Sequence, residues 1–196
     1  IAAVVGGTPN PWSELANEIV ADSGISRMFL FYSLTGAGFT GTMTIGPGVG
    51  ETVTNCVWTV FEIGGAVITG VNGADAFVQQ LVDHQTVLTT SHTATMPAAL
   101  SAPNNRVIAG YGLRQGLPTL THDRTIILRD NQAQDRIDSV WAKNGDITLT
   151  ATYGAADLDS TWIAAEIQED PNALPPGGAG INTNSNRRRR RSHRRY

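Results

Sequence analysis

The sequence predicts an all-β fold: a two-sheet β-sandwich, jelly-roll-like, with an extended basic C-terminal tail. Two segments alternate with a period of two, TNCVWTVFEI at 54–63 and TWIAAEI at 161–167. Each places apolar residues on both faces, the pattern of a strand covered on both sides. Short alternating runs, about nine in all, recur between Gly-, Pro- and Asn-rich turns, and no long helical periodicity interrupts them. Charged residues are 16% of the chain, too few for a disordered one.

Taken in order, residues 1–24 read as a lead-in, because Gly6-Gly7-Thr8-Pro9-Asn10-Pro11 breaks both regular structures. Within it, residues 12–21 could form one or two helical turns with Ser13 as N-cap. The sandwich domain is expected over 25–170. ISRMFLFYSL (25–34) is aromatic-rich and bounded by glycines, and FTGTMTI (39–45) runs into the turn Gly46-Pro47-Gly48. TNCVWTVFEI is expected to be a central strand.

Residues 66–85 read as a long connection, the kind of loop that tends to carry function. Further strands are expected at 86–96, 106–113, 125–128, 135–142 and 146–153. Asn144-Gly145 signals a hairpin between the last two. TWIAAEI closes the domain, and Trp58, Trp141, Trp162, Phe29, Phe31 and Phe61 are the expected bulk of the core.

Residues 171–186 are rich in Pro, Gly and Asn and read as a linker, and 187–196 is the basic end. The net charge of −3 conceals a division along the chain. Residues 1–170 hold 17 acidic and seven basic residues, a net −10, while 171–196 hold seven arginines and no acid. Arg187, Arg188, Arg189, Arg190, Arg191, Arg194 and Arg195 are the candidate partner-binding residues, an arm able to reach roughly 85 Å when extended. An acidic protein surface would take their guanidinium groups in bidentate pairs. Nucleic acid is the less favoured partner, since aromatic interleaving is missing apart from Tyr196. A merely solvated tail is the bland alternative.

The sequence points to no catalytic residue, metal site or cofactor. Glu62 and Glu166 share a Trp-x-x-x-Glu grammar and could face one groove, as paired carboxylates do in sandwich-fold glycosidases. The alternate carboxylates of such strands are absent, with Val60 and Gly64 flanking Glu62, so each Glu is expected to face solvent or pair with an arginine. His84, His92, His122 and His193 lack metal spacing and read as surface histidines. A Ser-His-Asp set can be drawn on paper, but Gly-x-Ser-x-Gly is absent. Asp157-Leu158-Asp159 lacks the calcium-loop pattern, and Gly46-Pro47-Gly48-Val49-Gly50 is not followed by the Lys of a phosphate loop. Cys56, the single cysteine, admits no intrachain disulfide and reads as an inert strand thiol. No apolar run is long enough for a membrane helix. The first residue, Ile1, suggests a start that was removed or lies upstream.

TGTMTI, NCVWTVFEIGG, TVLTTSHTATM, AALSAPNNRVIAGYG and the closing WIAAEI follow one another in order. In this succession residues 40–169, about two thirds of the chain, resemble a β-sandwich module of tailed-bacteriophage virion proteins, especially minor tail and fibre-associated proteins. The resemblance implies a non-enzymatic virion component that works in an oligomer on the tail, baseplate or capsid, with other virion proteins as partners. A capsid decoration protein is the structural alternative. A carbohydrate-binding module gripping host glycan through residues 66–85 and 114–123 is the alternative of another class. The arginine-rich end is not part of the family pattern.

Overall fold

Strand β12 (Ser160–Ile167) is buried at every one of its eight positions, because it is an interior strand of a sheet covered on both faces. The computed structural model describes residues 3–8, 12–20, 26–34, 40–46, 57–60, 62–85, 87–114, 119–132, 135–141, 145–157 and 159–172. The chain is all-β. Its described strands are β1 (Ala3–Thr8), β2 (Ser13–Ile19), β3 (Arg27–Tyr32), β4 (Thr40–Gly46), β5 (Phe77–His84), β6 (Thr89–Thr95), β7 (Arg106–Arg114), β8 (Leu120–His122), β9 (Thr125–Gln132), β10 (Asp135–Trp141), β11 (Thr148–Asp157) and β12. One short 3-10 helix, Val71–Ala76, precedes β5.

Five strands form the larger sheet in the order β5-β12-β7-β10-β9, and three form the smaller in the order β6-β11-β8, all antiparallel. The two sheets face each other as a β-sandwich. The core between them joins Val107, Ala109, Tyr111 and Leu113 of β7 and Trp162 and Ala164 of β12 to Leu149, Ala151 and Tyr153 of β11. Alternation sends Ile108, Ile163, Ala165 and Ile167 to the opposite face of the larger sheet, where the β2-β3 pair covers it with Ala16, Val20, Met28 and Leu30. Gly110 and Gly112 point to that outer face. A Cβ at Gly110 would lie 2.2 Å from Met28 Cε, and one at Gly112 would lie 3.2 Å from Met28 Sδ and from Val20. Two missing side chains on β7 therefore set how closely β3 can approach.

Several sequence expectations are corrected. Within 12–21 the described residues, 12–20, are not helical: β2 pairs antiparallel with β3, with a bulge between Glu14 and Ala16. A helix of two turns has little stability of its own, and the β3 backbone offers it a full set of partners. The described residues of TNCVWTVFEI, 57–60, 62 and 63, form no central strand. Among its described residues 57–60 lie in no strand, Trp58 is 52% exposed, and the Thr59 hydroxyl bonds Ser139 on the outer face of β10. Period-two alternation specifies faces without naming a partner, and the central places are held by β12 and β7.

The connection 66–85 contains both the 3-10 helix and β5, an edge strand whose Gln79-Gln80 hides its alternation. Residues 120–122, read as part of a loop, form β8. The Asn144-Gly145 turn does not close a hairpin. β10 and β11 belong to different sheets, and Gly145, the described half of that pair, has φ 76°. Of the expected core aromatics Trp162 is fully buried, Phe29, Phe31 and Trp141 are half-buried, and Phe61 lies outside the described residues.

Candidate functional site

Register places two rows of side chains opposite one another across the sandwich. On the larger sheet the row runs Asp83, Trp162, Tyr111, Asp138, Arg129 across its five strands, each residue the direct partner of the next. On the smaller sheet the row is His92, Ala151, His122. The methyl of Ala151 leaves space for the rings of Tyr111 and Trp162, whose centroids lie 4.5 Å apart. Both imidazoles meet these rings: His92 lies 5.9 Å from Tyr111, and His122 lies 5.5 Å from both Tyr111 and Trp162.

Each histidine also reaches a carboxylate of the opposite sheet. His122 Nε2 lies 2.8 Å from Asp138 Oδ2, and both side chains are fully buried. Asp138 is held further by Arg129, its cross-strand partner, at 2.8 Å to each oxygen, and by Arg136 at 3.2 and 3.1 Å. Arg136 shares the Asp138 face because the two stand two residues apart in one strand. Burial alone would raise the Asp138 carboxyl, but hydrogen bonds from His122, Arg129 and Arg136 outweigh it and hold the group well below the usual carboxylate range. The centre is thus an anion bound by two cations and an imidazole.

At the other end of the row, His92 Nδ1 lies 3.1 Å from Ser160 Oγ and Nε2 lies 3.2 Å from Asp83 Oδ2. The components of a Ser-His-Asp set are therefore in contact, which the sequence allowed only on paper. Ser160 is 0% exposed and His92 3%, so the hydroxyl has no solvent approach as it stands. Burial pushes the His92 imidazole below its ordinary value of 6.5, Asp83 pulls the other way, and His84 adds to the depression.

Glu166 forms a second polar centre on the same inner face. Its Oε1 accepts the Ser101 N–H at 2.8 Å, the Ser101 hydroxyl at 2.8 Å and the Asn105 amide at 2.6 Å, while Oε2 accepts Gln79 Nε2 at 2.6 Å. Burial disfavours its charge, yet these neutral donors lower the carboxyl below its ordinary value. Asn105 Oδ1 accepts the Glu169 N–H, and Gln79 Oε1 accepts the Ala98 N–H. The carboxylate therefore pins residues 98–105 to the end of β12.

The sequence expectation for Glu166, solvent or an arginine, is corrected: the strand's inner parity buries it among amides and hydroxyls. Glu62 is exposed, and the two acids form no common groove. His92 and His122 are likewise core residues rather than surface ones, because β6 and β8 turn them toward the larger sheet. Sequence reasoning missed Arg129 and Arg136. Arg136-Ile137-Asp138 was the available signal, since an i, i+2 pair in a strand shares a face. Arg187, Arg188, Arg189, Arg190, Arg191, Arg194, Arg195 and His193 lie outside the described residues, as does Cys56. Among the described residues no group of three or more His, Cys, Asp or Glu could hold a metal ion, and no helix is long and apolar enough to cross a membrane.

Compared with known proteins, the chain matches no family model, no curated protein and no solved structure.

Proposed function

We propose that the chain is a non-enzymatic structural module of a tailed-phage virion, a minor tail or fibre-associated component. In this reading the acidic sandwich assembles with neighbouring subunits and the arginine-rich tail anchors it on their acidic surfaces. The observation that carries the proposal is the separation of charge from fold: −10 over residues 1–170 and +7 over 171–196. Opposite charge on two parts of one chain favours association between copies, or with other acidic proteins, through an arm long enough to leave its own body. The internal polar centres support the same reading, since Asp138, Glu166 and Ser160 are spent on joining elements of the sandwich.

The strand order also fits a jelly roll. From β5 to β8 and from β10 to β12 successive strands alternate between the sheets, and only β9 joins β10 in the larger sheet instead of extending the smaller one. Capsid decoration is the alternative within the same structural class, and the anchor would work identically there.

The test is a chain ending at Asn186, compared with the full chain for incorporation into particles and for self-association by sedimentation. Release of the truncated chain, with its circular dichroism unchanged, is expected. Equal incorporation of both chains defeats the anchor. A salt-sensitive gel shift with duplex DNA that needs the tail would replace the protein partner by nucleic acid.

A further inference from the structure

The His92 bridge spans the sandwich. Its imidazole stands on β6 of the smaller sheet, and both of its ring nitrogens are committed to the larger one, to Asp83 of β5 and Ser160 of β12. We propose that this bridge is an acid-sensitive latch, closed while His92 is neutral and released when the imidazole gains a second proton.

Neutral His92 satisfies both of its partners: Nε2–H donates to Asp83, and Nδ1 accepts the Ser160 hydroxyl. Protonation turns Nδ1 into a donor. Ser160 Oγ must then accept, and its own hydrogen needs a new partner although the side chain has no contact with water. The added charge also finds a poor environment. From β5 it faces Asp83 and His84, from β12 Ser160 and Trp162, and from β7 the Tyr111 ring. Across Ala151 on β8 stands His122, with Asp138, Arg129 and Arg136 beyond it, two cations to one anion. Asp83 is the facing carboxylate, and its side chain is 42% exposed, so water weakens its attraction.

The sign follows from linkage. The unfolded chain takes up the proton near 6.5 and the folded chain only at lower pH, as burial dictates. Stability is full above 6.5 and falls as pH drops below it, by up to about tenfold in the folded-to-unfolded ratio per pH unit until the folded imidazole titrates. The His92 backbone carbonyl accepts Trp162 Nε1–H at 3.2 Å, so release of β6 also frees the central tryptophan.

The test uses the full chain. Urea midpoints followed by tryptophan fluorescence at pH 7.5, 6.5 and 5.5 are compared for wild type and His92→Gln, whose amide can still donate to Asp83. NMR titration of the imidazole carbons gives the His92 midpoint directly. A wild-type midpoint that falls toward pH 5.5, a shallower fall in the variant, and His92 titrating below 6.5 are expected. Titration of His92 at or above 6.5, or equal falls in both proteins, overturns the latch. Should His92→Gln fail to fold, Asp83→Asn keeps the histidine and removes the facing charge. Its His92 must then titrate lower still, and an unchanged midpoint counts against the proposal.

Discussion

His92 on β6 and His122 on β8 are register partners of the same residue, Ala151 of β11. They are far apart in sequence and lie in one transverse row, one on each side of a methyl group. The small side chain between them admits Tyr111 and Trp162 from the other sheet, and each histidine then meets the carboxylate flanking those rings. This transverse layer of the sandwich core is therefore polar at both ends and apolar in the middle. Buried polar groups of this kind contribute to stability only when each is satisfied, which makes the row testable residue by residue.

Removing the acid at the Asp138 centre should be severe. Asp138→Ala leaves Arg136 and His122 buried without their acceptor, and loss of one partner of a buried ion cluster costs about 3–5 kcal/mol. The unfolding free energy should fall by that amount with the denaturant slope unchanged; a loss under about 1 kcal/mol would show the cluster to be solvated. Asp138 also sets an acid limit. Its carboxyl is held below the ordinary 3.8, so its contribution is present above that value and disappears as pH falls through and below it. Asp138→Asn should flatten that part of the stability profile.

Glu166→Gln replaces an acceptor by an amide that must turn a donor toward another donor. Oε1 already takes three hydrogen bonds and Oε2 one, so either orientation leaves a buried clash or an unsatisfied group costing about 1–3 kcal/mol. The Ser101 amide should lose hydrogen-exchange protection in the variant before the strands of the larger sheet do. Equal protection in the two proteins would mean that the loop is held by something else.

Trp58 and Trp162 should separate cleanly. Trp58 is 52% exposed and Trp162 0%, so Trp58→Ser should change stability by no more than about 0.5 kcal/mol while Trp162→Ala costs about 3–5 kcal/mol. Acrylamide quenching should drop on loss of Trp58 and rise on conservative replacement of Trp162 by Phe, which removes a shielded emitter. The reverse ranking would place residues 57–60 in the core after all.

Gly110→Ala puts a methyl within 2.2 Å of Met28 Cε, and Met28 itself is buried. Overpacking of this sort costs about 1–3 kcal/mol, softened where the methionine can turn. Met28→Ala in the same chain should recover part of the loss. A double-mutant cycle with no coupling would separate β3 from the outer face of β7.

Local alternation makes much of this molecule legible in the chain itself. The doubly covered strand TWIAAEI and the strands at 27–32, 40–46, 89–95 and 106–114 all follow from side-chain periodicity and turn chemistry. The same rule misplaces TNCVWTVFEI, because a period of two says which residues share a face and nothing about which strand lies alongside. It also misses β5 and β8, where Gln79-Gln80 and the short LTH carry too little apolar signal to stand out.

By itself the sequence determined an all-β domain and a charge division between an acidic stretch, 1–170, and a basic end, 171–196, since composition and period are properties of the chain alone. Only the tertiary structure decided that His92, Ser160 and Asp83 meet, that His122 and two arginines converge on Asp138, and that Glu166 is sealed among amides. These groups are brought together by antiparallel register between strands distant in sequence, and register is set by the packing of whole faces. A polar residue at an inward position looks the same in the sequence whether it faces water or a partner. Burial and the partner across the core make it an anchor.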